Sequence, residues 1–286
     1  MSSPPQAPPA TEPSAASQAA QAGLAILVAA AIAKLFPSLD LLHLRTSLPL
    51  FKAAVAHEVQ RHARASATLA ARQYRADRVR AGVGGGFRPV PADPPPVAQI
   101  AQAVDWAVQP LWNSAVLDAH APDAPAEVQQ AASTAIADAK ARLAASSERL
   151  VLNAGQTTII DNAQRDRKAR GWARIPEPGA CSFCLMLAAR VTAKRGAFYT
   201  SEQAAGPNQR SARHKTRASE AFVGEGQAKV HDHCRCHIEA VFGPYEPTAQ
   251  VREAAALWES STRGKSGNAA RIAFRQAVEG RTAPTQ

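Results

Sequence analysis

Apolar residues are spread along the chain in helical rather than alternating spacing. From Ala22 to Ala33 they run twelve in a row, until Lys34 and Leu35-Phe36-Pro37 close the stretch. This predicts a small buried helix ending at Pro37. A membrane span needs about 20 apolar residues, so no span is expected. Residues 1–21 hold no Lys or Arg, unlike the start of an export signal. A second helix is expected from Ser47-Leu48-Pro49, with Ser47 as N-cap and Pro49 in the first turn. Phe51, Val55 and Val59 line one face, and the pattern continues to Arg80. There Arg78 and Arg80 read as surface residues.

A third helix begins at Val97, with Ile100, Val104, Val108 and Leu111 on one side. Asp123-Ala124-Pro125 opens a fourth, carried by Val128, Ala132, Ile136, Ala139, Leu143 and Leu150 to Gly155. Thr157 is read as the cap of one further helix. Two short helices, around Val251 to Trp258 and Asn268 to Val278, are expected near the end. Between Trp172 and residue 245 helical spacing fades, and Pro, Gly and all four cysteines gather. The fold class expected is therefore mainly α: long amphipathic helices followed by a small α+β Cys/His module. The divisions are a disordered tail over 1–17, N-terminal helices over 18–81 and a Gly/Pro linker over 82–96. A helical region over 97–172, the Cys/His module over 173–247 and C-terminal helices and tail over 248–286 follow.

Composition supports helices. Of 286 residues 65 are Ala, and only 5% are aromatic, a poor supply for a β-sandwich or barrel. Residues 1–17 are Pro, Ser and Ala with one charge and bury too little to order themselves. The glycines of 82–86 followed by Pro94-Pro95-Pro96 read as a flexible and then stiff connector. No Lys-Ser/Thr follows those glycines, so they are not a phosphate loop.

The chemistry is concentrated in Cys181-Ser182-Phe183-Cys184 and, further on, His231-Asp232-His233-Cys234-Arg235-Cys236-His237. A Cys-x-x-Cys knuckle offers two thiolates to one ion, and a second block of closely spaced ligands closes a tetrahedron. If 231–236 are extended, Cys234 and Cys236 share a face, which favours a structural Zn²⁺ held by Cys181, Cys184, Cys234 and Cys236. A site exchanging one thiol for His231 is the second choice. Two disulfides joining the blocks are the redox alternative. Nothing marks one thiol as a nucleophile, and His231, His233 and His237 read as outer donors or solvated residues. No catalytic constellation emerges, so an enzyme is not expected.

Lys and Arg total 33 against 23 acids, a formal charge of +10. Residues 161–237 hold 14 of those bases and 7 acids. A basic surface of this kind attracts a phosphate backbone or an acidic protein partner. The candidate nucleic-acid contacts are Arg165, Arg167, Lys168, Arg170, Arg213, Lys215 and Arg217.

Several stretches together have a family likeness. They are Arg149-Leu150-Val151-Leu152-Asn153-Ala154-Gly155, Arg170-Gly171-Trp172-Ala173-Arg174-Ile175-Pro176, Gly179 through Arg190, Arg195-Gly196-Ala197-Phe198-Tyr199 and the 231–236 block. Over roughly residues 45–245 the chain resembles the MuF-like minor capsid, or phage head morphogenesis, proteins of tailed bacteriophages, especially those of actinobacteria. The resemblance implies a virion component inside the capsid, made in the host cytoplasm. It further implies association with portal and major capsid proteins, and roles in head assembly and in DNA packaging or ejection. Double-stranded phage DNA is the implied nucleic-acid partner. The competing reading is a metal-dependent DNA endonuclease of the His-metal type, with His231, Asp232 or His233 beside a zinc knuckle. Against it, no histidine lies in 238–286.

Overall fold

A computed structural model describes residues 15–112, 123–177, 179–192, 236–244 and 247–282. Calls on residues 1–14, Cys234, His231, His233, Arg213, Lys215 and Arg217 lie outside the described residues. The elements are α1 (Ala15–Leu35), α2 (Leu44–Arg80), α3 (Val97–Val108), α4 (Ala126–Arg165) and β1 (Gly171–Ile175). After these come α5 (Ser182–Thr192), β2 (His237–Val241), α6 (Ala249–Ser261) and α7 (Gly267–Thr282). The fold is mainly helical, with one small antiparallel pair of strands.

The body is built on α2 and α4, which pack against each other and against α1, while α3 rests on both. Its core joins Val28 and Ile32 of α1, Phe51, Val55 and Val59 of α2, Ile100 and Val104 of α3, and Leu143 and Leu150 of α4. Phe36 and Phe51 meet edge to face, centroids 5.8 Å apart. The many alanines lie at the contacts: Ala63, Ala67 and Ala154 form a cluster where α2 and α4 approach closely. The strands cover the far end of this pair. β1 and β2 run antiparallel, Trp172 opposite Ala240 and Arg174 opposite Ile238. Trp172 and Ile238 close a second core with Tyr74, Ile159 and Ile160. Beyond β1, α5 packs on α6 and α7, with Trp258 and Phe274 rings 5.2 Å apart.

Several sequence expectations are corrected. The helix expected to stop at Gly155 continues without a break to Arg165. The glycine is not a cap: a Cβ there would meet Ser66 Oγ at 2.6 Å and Gln21 Nε2 at 2.9 Å, so its smallness admits α1 and α2. Thr157 therefore lies inside a helix. α2 starts three residues earlier than Ser47, where Asp40 Oδ1 accepts from the backbone N–H groups of Leu42 and His43. The 82–96 connector is docked: Asn162 Nδ2 donates to Val90 O at 2.8 Å, and Asn162 Oδ1 and Thr158 Oγ1 accept from the N–H groups of Val90 and Ala92, each at 2.9 Å. Ala15–Ser17, assigned to the tail, belong to α1. The fading of periodicity after Trp172 conceals α5.

α1 is apolar on every side. Val28 and Ile32 are buried, yet Ile26 is 68% exposed and Leu27 57%. By length and composition alone, Ala16–Ser38 is long and apolar enough to cross a membrane, a test that core helices also pass. The helix is longer than the apolar run because Ala15 to Gln21 are compatible with helix.

Candidate functional site

The two cysteine blocks meet beside the strands. Cys181 sits in the turn that precedes α5 and is exposed, whereas Cys184, one turn into the helix, is buried. Cys236 immediately precedes β2 and is buried against Cys184, with Ala180 completing the cluster. Gln156 of α4 fixes the end of this strand by donating from Nε2 to Cys236 O at 2.8 Å. Thus one thiol from each block is brought to one place by three elements: α4 holds Cys236 by its backbone, α5 supplies Cys184, and the β1–β2 pairing sets the register. Among the described residues no group of three or more His, Cys, Asp or Glu side chains is arranged to hold an ion. Of the expected ligands, Cys181, Cys184 and Cys236 are described; Cys234 and His231 are not. Thiols are soft donors suited to zinc, so the pairing of Cys184 with Cys236 fits such an ion without completing its shell.

The basic segment forms the turn from α4 into β1. Arg165, Arg167, Lys168 and Arg170 all face solvent. Asp166 between them is buried and anchors the turn: Arg78 Nε donates to its Oδ2 at 2.6 Å, Tyr74 OH to the same oxygen at 3.2 Å, and the Lys168 N–H to Oδ1 at 3.0 Å. Burial would raise the Asp166 carboxyl, but the hydrogen bonds from Arg78 and Lys168, with the Arg78 charge, leave it below its ordinary value. Burial first, then the Asp166 charge, pushes the Tyr74 hydroxyl up. The reading of Arg78 as a surface residue fails here. Its guanidinium lies under the connector, 5.4 Å from the Phe87 ring centre, and is 6% exposed.

Next to the cysteines, a cavity of about 150 Å³ opens between α1, α2, α4 and β2. His237, read from sequence as an outer or solvated residue, lies in its wall. Its Nε2 is 2.9 Å from Gln18 Nε2 and 3.2 Å from Glu239 Oε1. Close by, burial and the Glu239 carboxylate raise Asp77 to about 6. Sequence reasoning missed this site because Gln18, Gln156 and Glu239 belong to three separate elements and form no motif.

No curated protein and no solved structure matches the chain. The family model described as VG15 protein matches residues 9–261. That match takes in the helical body, both cysteine blocks and α6, and the chain belongs to the VG15 protein family.

Proposed function

We propose that this chain is a minor capsid protein of a tailed bacteriophage, of the MuF-like head-morphogenesis type. In this reading it is made in the host cytoplasm and carried inside the capsid beside the portal. The observation that carries the reading is the meeting of Cys184 with Cys236, because the two blocks that bear the resemblance then form one module. The helical body is the part that docks on portal and major capsid subunits. The exposed turn of Arg165, Arg167, Lys168 and Arg170, together with Arg213, Lys215 and Arg217, supplies the cations that meet packaged double-stranded DNA.

In the same proposal Cys181, Cys184, Cys234 and Cys236 hold a structural Zn²⁺, with His231 as the substitute ligand. Four thiolates leave no open position for a reacting water, so the ion contributes to folding and the protein acts as a non-enzymatic component.

Purified virions, analysed by mass spectrometry, should contain the chain at low copy number; virions without it contradict the proposal. For the DNA contact, replacing Arg165, Arg167 and Lys168 by Gln should weaken duplex binding about equally on unrelated sequences and flatten its salt dependence. Plasmid nicking that requires Mg²⁺ or Mn²⁺ and is lost in His233→Ala would instead establish the nuclease.

A further inference from the structure

The cavity beside His237 has apolar walls and an excess of hydrogen-bond acceptors. Ala25, Leu152 and Ile159 provide alkyl surface, while Glu148, Glu177 and Glu239 bring three carboxylates against the one guanidinium of Arg149. This acidic lining stands out in a chain of formal charge +10. Gln156, 6% exposed, spends its amide N–H on Cys236 O, and its carbonyl oxygen is buried with no hydrogen-bond partner. Asp77 Oδ2 is likewise buried without a partner, and the Glu239 carboxylate repels the Asp77 charge. The remaining buried polar atom without a partner here is His237 Nδ1.

Buried acceptors left without donors are unfavourable, and a donor that reaches them removes that cost. Carboxylates held near one another repel, and a cation beside them relieves the repulsion. A carboxylate or phosphate ligand would add to both problems. A metal ion would need a set of donors, and among the described residues no group of three suitable side chains exists. An alkylammonium answers both needs, since its head has three N–H donors and no acceptor and its chain matches the alkyl walls.

We propose that this cavity binds the ammonium head of a small alkylamine, its donors turned to Gln156 and Glu239 and its chain lying along Leu152 and Ile159. The site is independent of the capsid reading.

Calorimetric titration of the full chain with n-butylamine, n-butanol and butyrate tests the proposal. Butylamine should bind saturably, and the alcohol and the acid at least about tenfold more weakly, because only the ammonium serves both the acceptors and the charge. Glu239→Gln should lower butylamine affinity by about tenfold, with helix content unchanged by circular dichroism. Glu127→Gln, at an exposed position in the first turn of α4, should leave it unchanged. Equal binding of the three probes, no saturable butylamine binding, or an equal loss in Glu127→Gln would overturn the proposal. If Glu239→Gln does not fold, the ranking of the three probes on the natural chain decides.

Discussion

Arg78 and Asp166, 88 residues apart, form a buried ion pair with Nε and Oδ2 separated by 2.6 Å, and their side chains are 7% and 3% exposed. The pair joins the end of α2 to the turn that follows α4. It also holds the connector, because Arg78 stacks beneath Phe87 and reaches Val83 O at 3.4 Å. Through Asp166 it sets the turn on which the exposed bases stand.

Breaking this pair from one side should be strongly destabilising. Asp166→Asn leaves the guanidinium without its counter-charge, and Arg78→Met leaves a buried carboxylate; each should cost about 3–5 kcal/mol in chemical denaturation. The double variant should lose less than the sum of the two, since it leaves no charge stranded. Because the folded Asp166 carboxyl lies below its ordinary 3.8, its stabilisation is fully present above that value. It is lost as pH falls through the folded value. Equal and additive losses would show that the pair is not coupled.

Asp77 gives the opposite slope. Its carboxyl is raised from 3.8 to about 6 by burial and then by the Glu239 charge, so the folded state holds a proton that the unfolded state has released. Its contribution to stability therefore falls as pH rises through that window, and the penalty is complete above about 6. Two pH units correspond to about 3 kcal/mol as an order of magnitude. Asp77→Asn should remove this slope between pH 3.8 and about 6, as read from urea midpoints at a series of pH values. An unchanged slope would place the titrating group elsewhere.

Gly155→Ala tests why one long helix replaces the two expected from sequence. Alanine is favoured over glycine in a helix by about 1 kcal/mol. Here its Cβ would lie 2.6 Å from Ser66 Oγ and 2.9 Å from Gln21 Nε2, an overpacking penalty of about 1–3 kcal/mol. The variant should be less stable than the natural chain. Adding Ser66→Ala should recover part of the loss despite removing the Ser66–Gln21 hydrogen bond of 2.6 Å.

These cases separate what the sequence discloses from what it conceals. α2, α3, α6 and α7 are legible because their apolar positions repeat at helical spacing and face the core. Ile100, Val104 and Leu111 are buried as expected. Gly155 is misread because a glycine chosen for closeness to another helix looks, in one dimension, like a terminator. Arg78 is misread because its partner is distant in sequence. The docking of the connector is equally invisible, since Val90 and Ala92 bond through backbone atoms to Asn162 and Thr158. The cysteine spacing did point to a joint site, and Cys184 with Cys236 forms one.

Asn162 is the test of that docking. Its amide bridges both backbone groups of Val90 and also accepts from Arg165 Nη2 at 2.7 Å. Asn162→Ala leaves the Val90 groups to find water and should cost about 1–3 kcal/mol. Limited proteolysis should then cut between residues 82 and 96 well before global unfolding. A connector that is as resistant in the variant as in the natural chain would mean that Thr158 and the buried ion pair hold it unaided.

The proposed zinc ion makes the last prediction. If Cys181, Cys184, Cys234 and Cys236 share it, elemental analysis of the purified chain should find about one zinc per molecule. Cys236→Ala and Cys184→Ala should each lose it, because those buried thiols stand where the two blocks touch. Thiol titration of the native chain should report few reactive groups until a chelator is added, since bound thiolates are withheld from the reagent. Removing the ion should lower the stability of the module around α5 and β2 by several kcal/mol, given the roughly 10–16 kcal/mol that structural zinc supplies in isolated fingers. The α2–α4 body, whose core of Val55, Val59, Val104 and Leu143 is built without these thiols, should keep its helix signal. Hydrogen exchange would separate the two regions. Fast titration of all four thiols with no metal present would instead identify them as reduced cysteines that bind no ion, and loss of all four signals in denaturant without chelator would identify two disulfides.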